Sequence, residues 1–147
     1  MTTRPHDDSP TPDGVLLHDL NTPVRWGDMD AMGHVNNIMY LQYFEQCRVE
    51  WKDKLGYHLD PTKVGMIVKK ASATYHRAVT HPAVVNVRMF AGHIGRTSFT
   101  QRYELRVVGQ GPDLWTEGEF LIVWFDYAAG KPAPIPDELR KLLEGSA

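Results

Sequence analysis

One stretch of this chain carries the period of a helix, and most of the residues after it carry the period of a strand. Placed at about 100° intervals, Tyr40, Leu41, Tyr43, Phe44, Cys47, Trp51 and Leu55 fall on one broad face, while Gln42, Gln46, Glu50 and Asp53 point away. Asn36 suits the N-cap, because its side-chain oxygen can accept from a first-turn NH, and Gly56 suits the stop. From Val64 onward come four segments rich in Val, Thr, Tyr, Phe and Trp, separated by Gly and Pro. They span roughly Val64 to Val79, Ala83 to His93, Thr97 to Val108 and Leu114 to Tyr127, with turns at His81–Pro82, Gly92 to Arg96 and Gly109 to Pro112. The third is the clearest: Thr97, Phe99, Gln101, Tyr103, Leu105 and Val107 alternate with Ser98, Thr100, Arg102, Glu104, Arg106 and Val108, one face for a core and one for solvent. A single long helix with one apolar side must bury it against the sheet these strands make. The order predicts an α+β layer in which a first strand, a long helix and an antiparallel meander succeed one another.

The flanks are simpler. Val15 to Trp26 reads as an extended, irregular first strand, since Pro23 donates no ladder bond and belongs on an edge or at a strand start. A last short helix is expected at Asp137 to Leu143, after Pro134 and Pro136. Residues 1–14 hold Pro5, Pro10 and Pro12 among Thr, Ser, Asp and His, too little apolar surface to offset ordering entropy, and are expected to be a flexible tail ahead of one domain over 15–147. At 147 residues one modest core is the expectation. A formal charge of −2 gives no field for a nucleic acid backbone, and no run is apolar enough for a membrane span. Cys47, the only cysteine, forms no intrachain disulfide, and the first twenty residues lack a secretory apolar run, so a cytoplasmic location is expected. The seven histidines show no metal-ligand spacing, so no metal or redox cofactor is predicted.

Chemistry concentrates just ahead of the helix. Between Asp28 and Asn37 sit two carboxylates, a glycine, a histidine and two asparagines, more polar machinery than a connecting loop requires. Such a loop brings a carboxylate, a titratable ring and the unpaired NH groups of a helix start to one point, the set that acyl transfer uses.

Arg25, Asp28, Asp30, Gly33, His34, Val35, Asn36, Asn37 and Tyr40 form the pattern R-x-x-D-x-D-x-x-G-H-V-N-N-x-x-Y. This resembles the hotdog-fold thioesterases of the 4-hydroxybenzoyl-CoA thioesterase branch, and the resemblance extends from about Leu20 to Tyr127. It implies an antiparallel sheet wrapped around one long central helix. It also implies subunits paired so that two sheets become continuous, with active sites at the dimer interface; a homodimer assembling to a tetramer is expected, with hexamer packing of dimers the open alternative. The residue it marks as catalytic is Asp30, as nucleophile on the thioester carbonyl or as general base for water. A thioester resonates less than an oxygen ester and its thiolate leaves readily, so a carboxylate suffices for either route. The backbone NH near Asn37, at the positive end of the helix, can stabilise the oxyanion, a donor typically worth ~3 kcal/mol.

Around Asp30 the other candidates carry unequal roles. His34 is read as an assistant at the site, although a loop histidine also serves as a structural hydrogen-bonding residue. In the related plant acyl-carrier-protein thioesterases a histidine and an asparagine assist the aspartate, and here Met32 occupies that asparagine's place. Asp28 is expected to brace the loop, by bonding loop NH groups or pairing with Arg25. Glu45 lies near the depth from which another branch of the superfamily takes its catalytic acid, but Arg48 at i+3 makes an intrahelical ion pair the better reading. Gly95, Arg96, Thr97, Ser98 and Phe99 resemble the turn that holds the nucleotide and phosphates of coenzyme A, so Arg96, Thr97 and Ser98 are the candidate binding residues. His76 and Arg77, beside the Val79 to Pro82 turn, can line the same channel or be solvated strand-end residues, and stay outside the predicted site. The function implied is hydrolysis of an acyl-CoA by a homo-oligomer, coenzyme A entering as part of the substrate. Two readings of other classes compete: a hotdog 3-hydroxyacyl thioester dehydratase and a non-catalytic acyl-CoA-binding module.

Overall fold

The helical stripe folds where its sequence places it. In the computed structural model, which describes residues 14–57 and 62–146, helix α1 runs Asn37–Lys54, and the Asn36 side chain accepts from the Ile38 NH at 3.2 Å. Gly56 follows the C-cap with φ of 80°, a left-handed turn that glycine adopts without a Cβ clash. The strands are β1 (Leu16–Pro23), β2 (Val64–Tyr75), β3 (Val84–Ile94), β4 (Ser98–Val107), β5 (Thr116–Asp126) and β6 (Lys131–Pro132), and α2 (Asp137–Glu144) ends the fold. The short β6, which pairs with β5, has no counterpart in the sequence reading. Of the expected tail, residues 1–13 lie outside the described residues.

The sheet is antiparallel throughout, in the order β1-β3-β4-β5-β2. This corrects the expected meander: β3, β4 and β5 do succeed one another, but β2 pairs with β5 at the far edge instead of with β3. Alternation identifies which face of a strand is buried, not its neighbour. The connection from Tyr75 to Val84 therefore crosses one end of the sheet rather than turning back tightly. Pro23 ends β1, an edge strand, as its missing NH requires.

The helix lies across the inner face of the sheet. Tyr40, Tyr43, Phe44, Cys47 and Trp51 are all buried, and on β4 every second residue from Phe99 to Val107 is buried with them. The Phe44 ring stacks on Tyr103 with centroids 4.9 Å apart, and β5 admits it only because residue 118 is glycine. A Cβ there would sit 2.5 Å from the Phe44 ring. One buried residue of the helix is charged. Arg48 lies 4.9 Å over the Phe120 ring, donates to the Tyr103 hydroxyl at 3.4 Å, and pairs with the exposed Glu45 at 3.5 Å.

Candidate active site

The polar loop is held by its own backbone. Met29 and Val35 form an isolated antiparallel bridge, Asp30 NH donates to His34 O at 2.8 Å, and Gly33 NH donates to Asp30 O at 3.1 Å. Gly33 takes φ of 80°, which a side chain would oppose. The Asp30 carboxylate folds back to accept the Met32 NH on Oδ1 at 2.9 Å. Among the described residues no donor reaches Oδ2, and Asp30 is partly exposed.

Asp28 is situated differently. It is buried, and its Oδ2 accepts both the Arg25 NH at 2.9 Å and the Tyr43 hydroxyl at 2.7 Å, with the Arg25 guanidinium 3.7 Å from Oδ1. Both bracing bonds expected of it are present, and the Tyr43 bond, which ties the loop to the helix, is an addition. Burial first, and then the Asp28 bond, push the Tyr43 phenol far above its ordinary range.

The segment after β2 closes the other side. Val35 NH donates to Val79 O at 2.8 Å, and Val79 NH donates to the Tyr40 hydroxyl at 3.0 Å. Tyr75, the last residue of β2, donates its hydroxyl to Asn37 O at 2.7 Å and packs edge-on against Tyr40 with ring centroids 5.1 Å apart. These contacts enclose a cleft of about 350 Å³ lined by Asp30, His34, Asn37, Tyr40, Tyr75 and Arg77, among others. Asp30, His34 and Asn37 thus share one cleft. His34 is exposed, and among the described residues no group accepts the Asn37 NH, the first of α1. Burial raises the Tyr40 phenol, and the negative charge of Asp30 adds to that shift. Among the described residues no group of three or more His, Cys, Asp or Glu side chains is arranged to hold a metal ion, and no helix is long and apolar enough to cross a membrane.

His76 and Arg77, read from the sequence as either channel-lining or solvated strand-end residues, line the Asp30 cleft, as does Tyr75, which no motif marks. They reach it through the pairing of β2 with β5, which leaves no local mark in the sequence. Arg96, Thr97 and Ser98 lie elsewhere. Ser98 registers with Val123 and through it with Ile67, whereas the cleft adjoins Tyr75 at the other end of β2. At ~3.3 Å per residue the two regions are roughly 25 Å apart within one chain. In that turn Arg96 is exposed, and its carbonyl accepts the Ile135 NH at 2.9 Å. Arg140 of α2 donates to Gly95 O at 2.8 Å. Glu45, the rival carboxylate, is exposed and paired with Arg48, as an ordinary helix-surface charge would be.

Comparison with known proteins bears on this arrangement. A family model described as the thioesterase-like superfamily matches residues 24–143. Among solved structures, a proposed thioesterase from Pseudomonas aeruginosa is 41% identical, over 86% of this chain and 97% of that one, with a TM-score of 0.79. A proposed acyl-CoA thioesterase from Xanthomonas campestris is 31% identical, over 80% and 99%, with a TM-score of 0.69. The Bacillus subtilis (strain 168) protein YsmA, itself uncharacterized, is 26% identical over 120 residues, 82% of this chain and 80% of its own length.

Proposed function

The chain belongs to the thioesterase-like superfamily and is a thioester hydrolase, and from that premise we propose that it cleaves an acyl-CoA with Asp30 as the reactive carboxylate. One observation carries this reading: the helix start at Asn37 and a carboxylate with one oxygen that no donor among the described residues reaches open onto a single cleft. In the reaction, Asp30 attacks the thioester carbonyl or removes a proton from the attacking water. The Asn37 NH receives the oxyanion, with His34 assisting, and the tetrahedral adduct expels the thiolate. If Asp30 is the nucleophile, water then cleaves the mixed anhydride. By either route one water is consumed, and the products are a carboxylic acid and coenzyme A.

The same proposal includes a homodimer that assembles further to a tetramer. Strand β2 is twelve residues long and lies at the edge of the sheet. Antiparallel pairing with β2 of a second copy would continue the sheet and reverse its ends, carrying the other copy's Gly95–Ser98 turn toward this cleft. Arg96, Thr97 and Ser98 would then bind coenzyme A in trans. Apolar side chains near the cleft agree with a covered surface: Trp26 is 79% exposed, Met32 80% and Ile38 62%. The test is thiol release from a panel of aliphatic and aromatic acyl-CoAs by wild type and Asp30→Asn. Hydrolysis by wild type with most turnover lost in the variant is expected. An enoyl chromophore without free thiol would indicate dehydration, and neither signal would indicate a binding module.

A further inference from the structure

Beyond the carboxylate and the helix start, the Asp30 cleft holds a cation to which the hydrolysis steps assign no role. His76 and Arg77 come directly after the last residue of β2, and the Trp115 carbonyl accepts both of their NH groups, at 2.8 and 3.2 Å. Their side chains differ in what they have left to offer. The His76 Nε2 meets Glu117 Oε2 at 2.8 Å, a complete pair. The Arg77 guanidinium lies 4.0 Å over the Trp115 ring and 3.7 Å from Asp113, beyond hydrogen-bond reach. Among the described residues nothing accepts from it. Contact with the ring holds the guanidinium at the cleft while leaving its five donors unspent, the state in which it takes a carboxylate or phosphate in bidentate fashion. A freely solvated strand-end arginine has no such ring contact, and it does not line the cleft of a reactive carboxylate.

We propose that Arg77 is the anion-recognition residue of this cleft, binding a carboxylate or phosphate oxygen carried by the thioester substrate. The proposal rests on the hydrolase reading and adds the substrate class to it. Of the two sources, an acyl-borne carboxylate fits the geometry more directly. A carboxylate a few carbons along the acyl chain lies within one cleft of the thioester carbonyl, whereas the phosphates of coenzyme A lie at the far end of the pantetheine arm. His76 with Glu117, and Asp113, are the charged neighbours that face this position. Asp113 would yield Arg77 to the incoming anion, since at 3.7 Å and with both side chains about half exposed their pairing is weak.

The test compares wild type, Arg77→Gln and Arg77→Lys on succinyl-CoA and butyryl-CoA, which share a four-carbon chain, and on the N-acetylcysteamine thioesters of the same two acids, which lack phosphates. A lost charge-assisted bidentate pair predicts a drop in kcat/KM of ~10–100-fold for Arg77→Gln, with partial rescue by lysine. If the acyl carboxylate is recognised, both succinyl substrates lose and both butyryl substrates do not. If a phosphate is recognised, both CoA substrates lose and the short thioesters do not. Equal kinetics of Arg77→Gln and wild type on all four, or an equal loss on all four, overturns the proposal. Should wild type cleave none of them, the hydrolase reading fails. Calorimetric titration of the same compounds then decides the role of Arg77 separately: selective weakening by Arg77→Gln upholds it, and unchanged or absent binding overturns it.

Discussion

Two aspartates two residues apart should respond to the same substitution in opposite ways. Asp28 is buried and accepts two hydrogen bonds on Oδ2, from the Arg25 NH and from the Tyr43 hydroxyl, itself only 5% exposed. In Asp28→Asn the shape is kept, but both bonds lose a charged acceptor. The new amide NH₂ must also face either the Arg25 guanidinium or the two donors. A bond to a charged group contributes 1.5–3 kcal/mol against ~1 for a neutral one, so two such exchanges cost about 2 kcal/mol. The Arg25 ion pair adds little, because that side chain is 73% exposed. For a domain of this size the loss lowers Tm by roughly 6–10 °C. Asp30 is the reverse. The one bond its carboxylate makes among the described residues, from the Met32 NH to Oδ1, is made equally well by an amide oxygen. Asp30→Asn should therefore stay within ~0.5 kcal/mol of wild type while turnover falls ~10²–10⁴-fold.

The assay is thermal and urea unfolding of both variants at one protein concentration, since an assembling protein has a concentration-dependent midpoint, beside thiol release under the same buffer conditions. The expected result is a crossover, one variant unstable with chemistry per folded molecule largely kept and the other stable and inactive. Equal stability losses in the two variants would refute the distinction between brace and reactive group. So would an Asp30→Asn protein that turns over while Asp28→Asn, fully folded, does not.

Three further outcomes are expected from the packing. Gly118→Ala places a Cβ 2.5 and 2.9 Å from the Phe44 ring between β5 and α1, so the urea midpoint should fall by an amount equivalent to ~1–3 kcal/mol with an unchanged m-value. Burial raises the Glu104 carboxyl, but its bonds to Arg102 at 2.8 Å and Arg106 at 2.9 Å outweigh that and hold it below the ordinary 4.5. A depressed carboxylate contributes stability above the unfolded value and loses it below, so the advantage of wild type over Glu104→Gln should be constant down to about pH 5.5 and shrink as pH falls through 4.5. Cys47 is fully buried, and its thiol is pushed up to about 12 by desolvation and then by the charges of Glu50 and Asp19. It should give no signal with a disulfide reagent in the native state and one equivalent after unfolding, so that free thiol in the hydrolysis assay comes from substrate.

What the sequence made legible was local. The helix from its Asn36 cap, the alternating faces of β4 and the contiguous loop from Asp28 to Asn37 are each specified by residues within a few positions of one another. The structure also realises the brace role of Asp28 and the Glu45–Arg48 ion pair, both spaced within one turn. What escaped was long-range pairing. Nothing in the period of Val64 to Tyr75 says that β2 crosses to β5, yet that crossing brings Tyr75, His76 and Arg77 to face Asp30. Arg48 escaped for a related reason, since its burial depends on Phe120 and Tyr103, more than fifty residues away.

The two walls of the cleft are therefore encoded by different means, with a consequence for substrate choice. The wall that carries Asp30 is one continuous segment whose geometry is fixed by its own backbone bonds, Asp30 to His34 and Gly33 to Asp30. The facing wall hangs from the end of an edge strand and is held by Tyr75 on Asn37, Val79 on Tyr40 and Trp115 under Arg77. Substitutions at residues 76–78 can alter charge and shape without disturbing the bonds that aim Asp30, because among the described residues the direct bonds between the walls come from the Tyr75 hydroxyl, the Val79 backbone and the His81 NH on Met29 Sδ. Acyl preference should consequently change with residues 76–78 while the loop aspartate remains necessary throughout. An Arg77 variant that altered which acid is released, with Asp30 still required for releasing any, would show that division in a single protein.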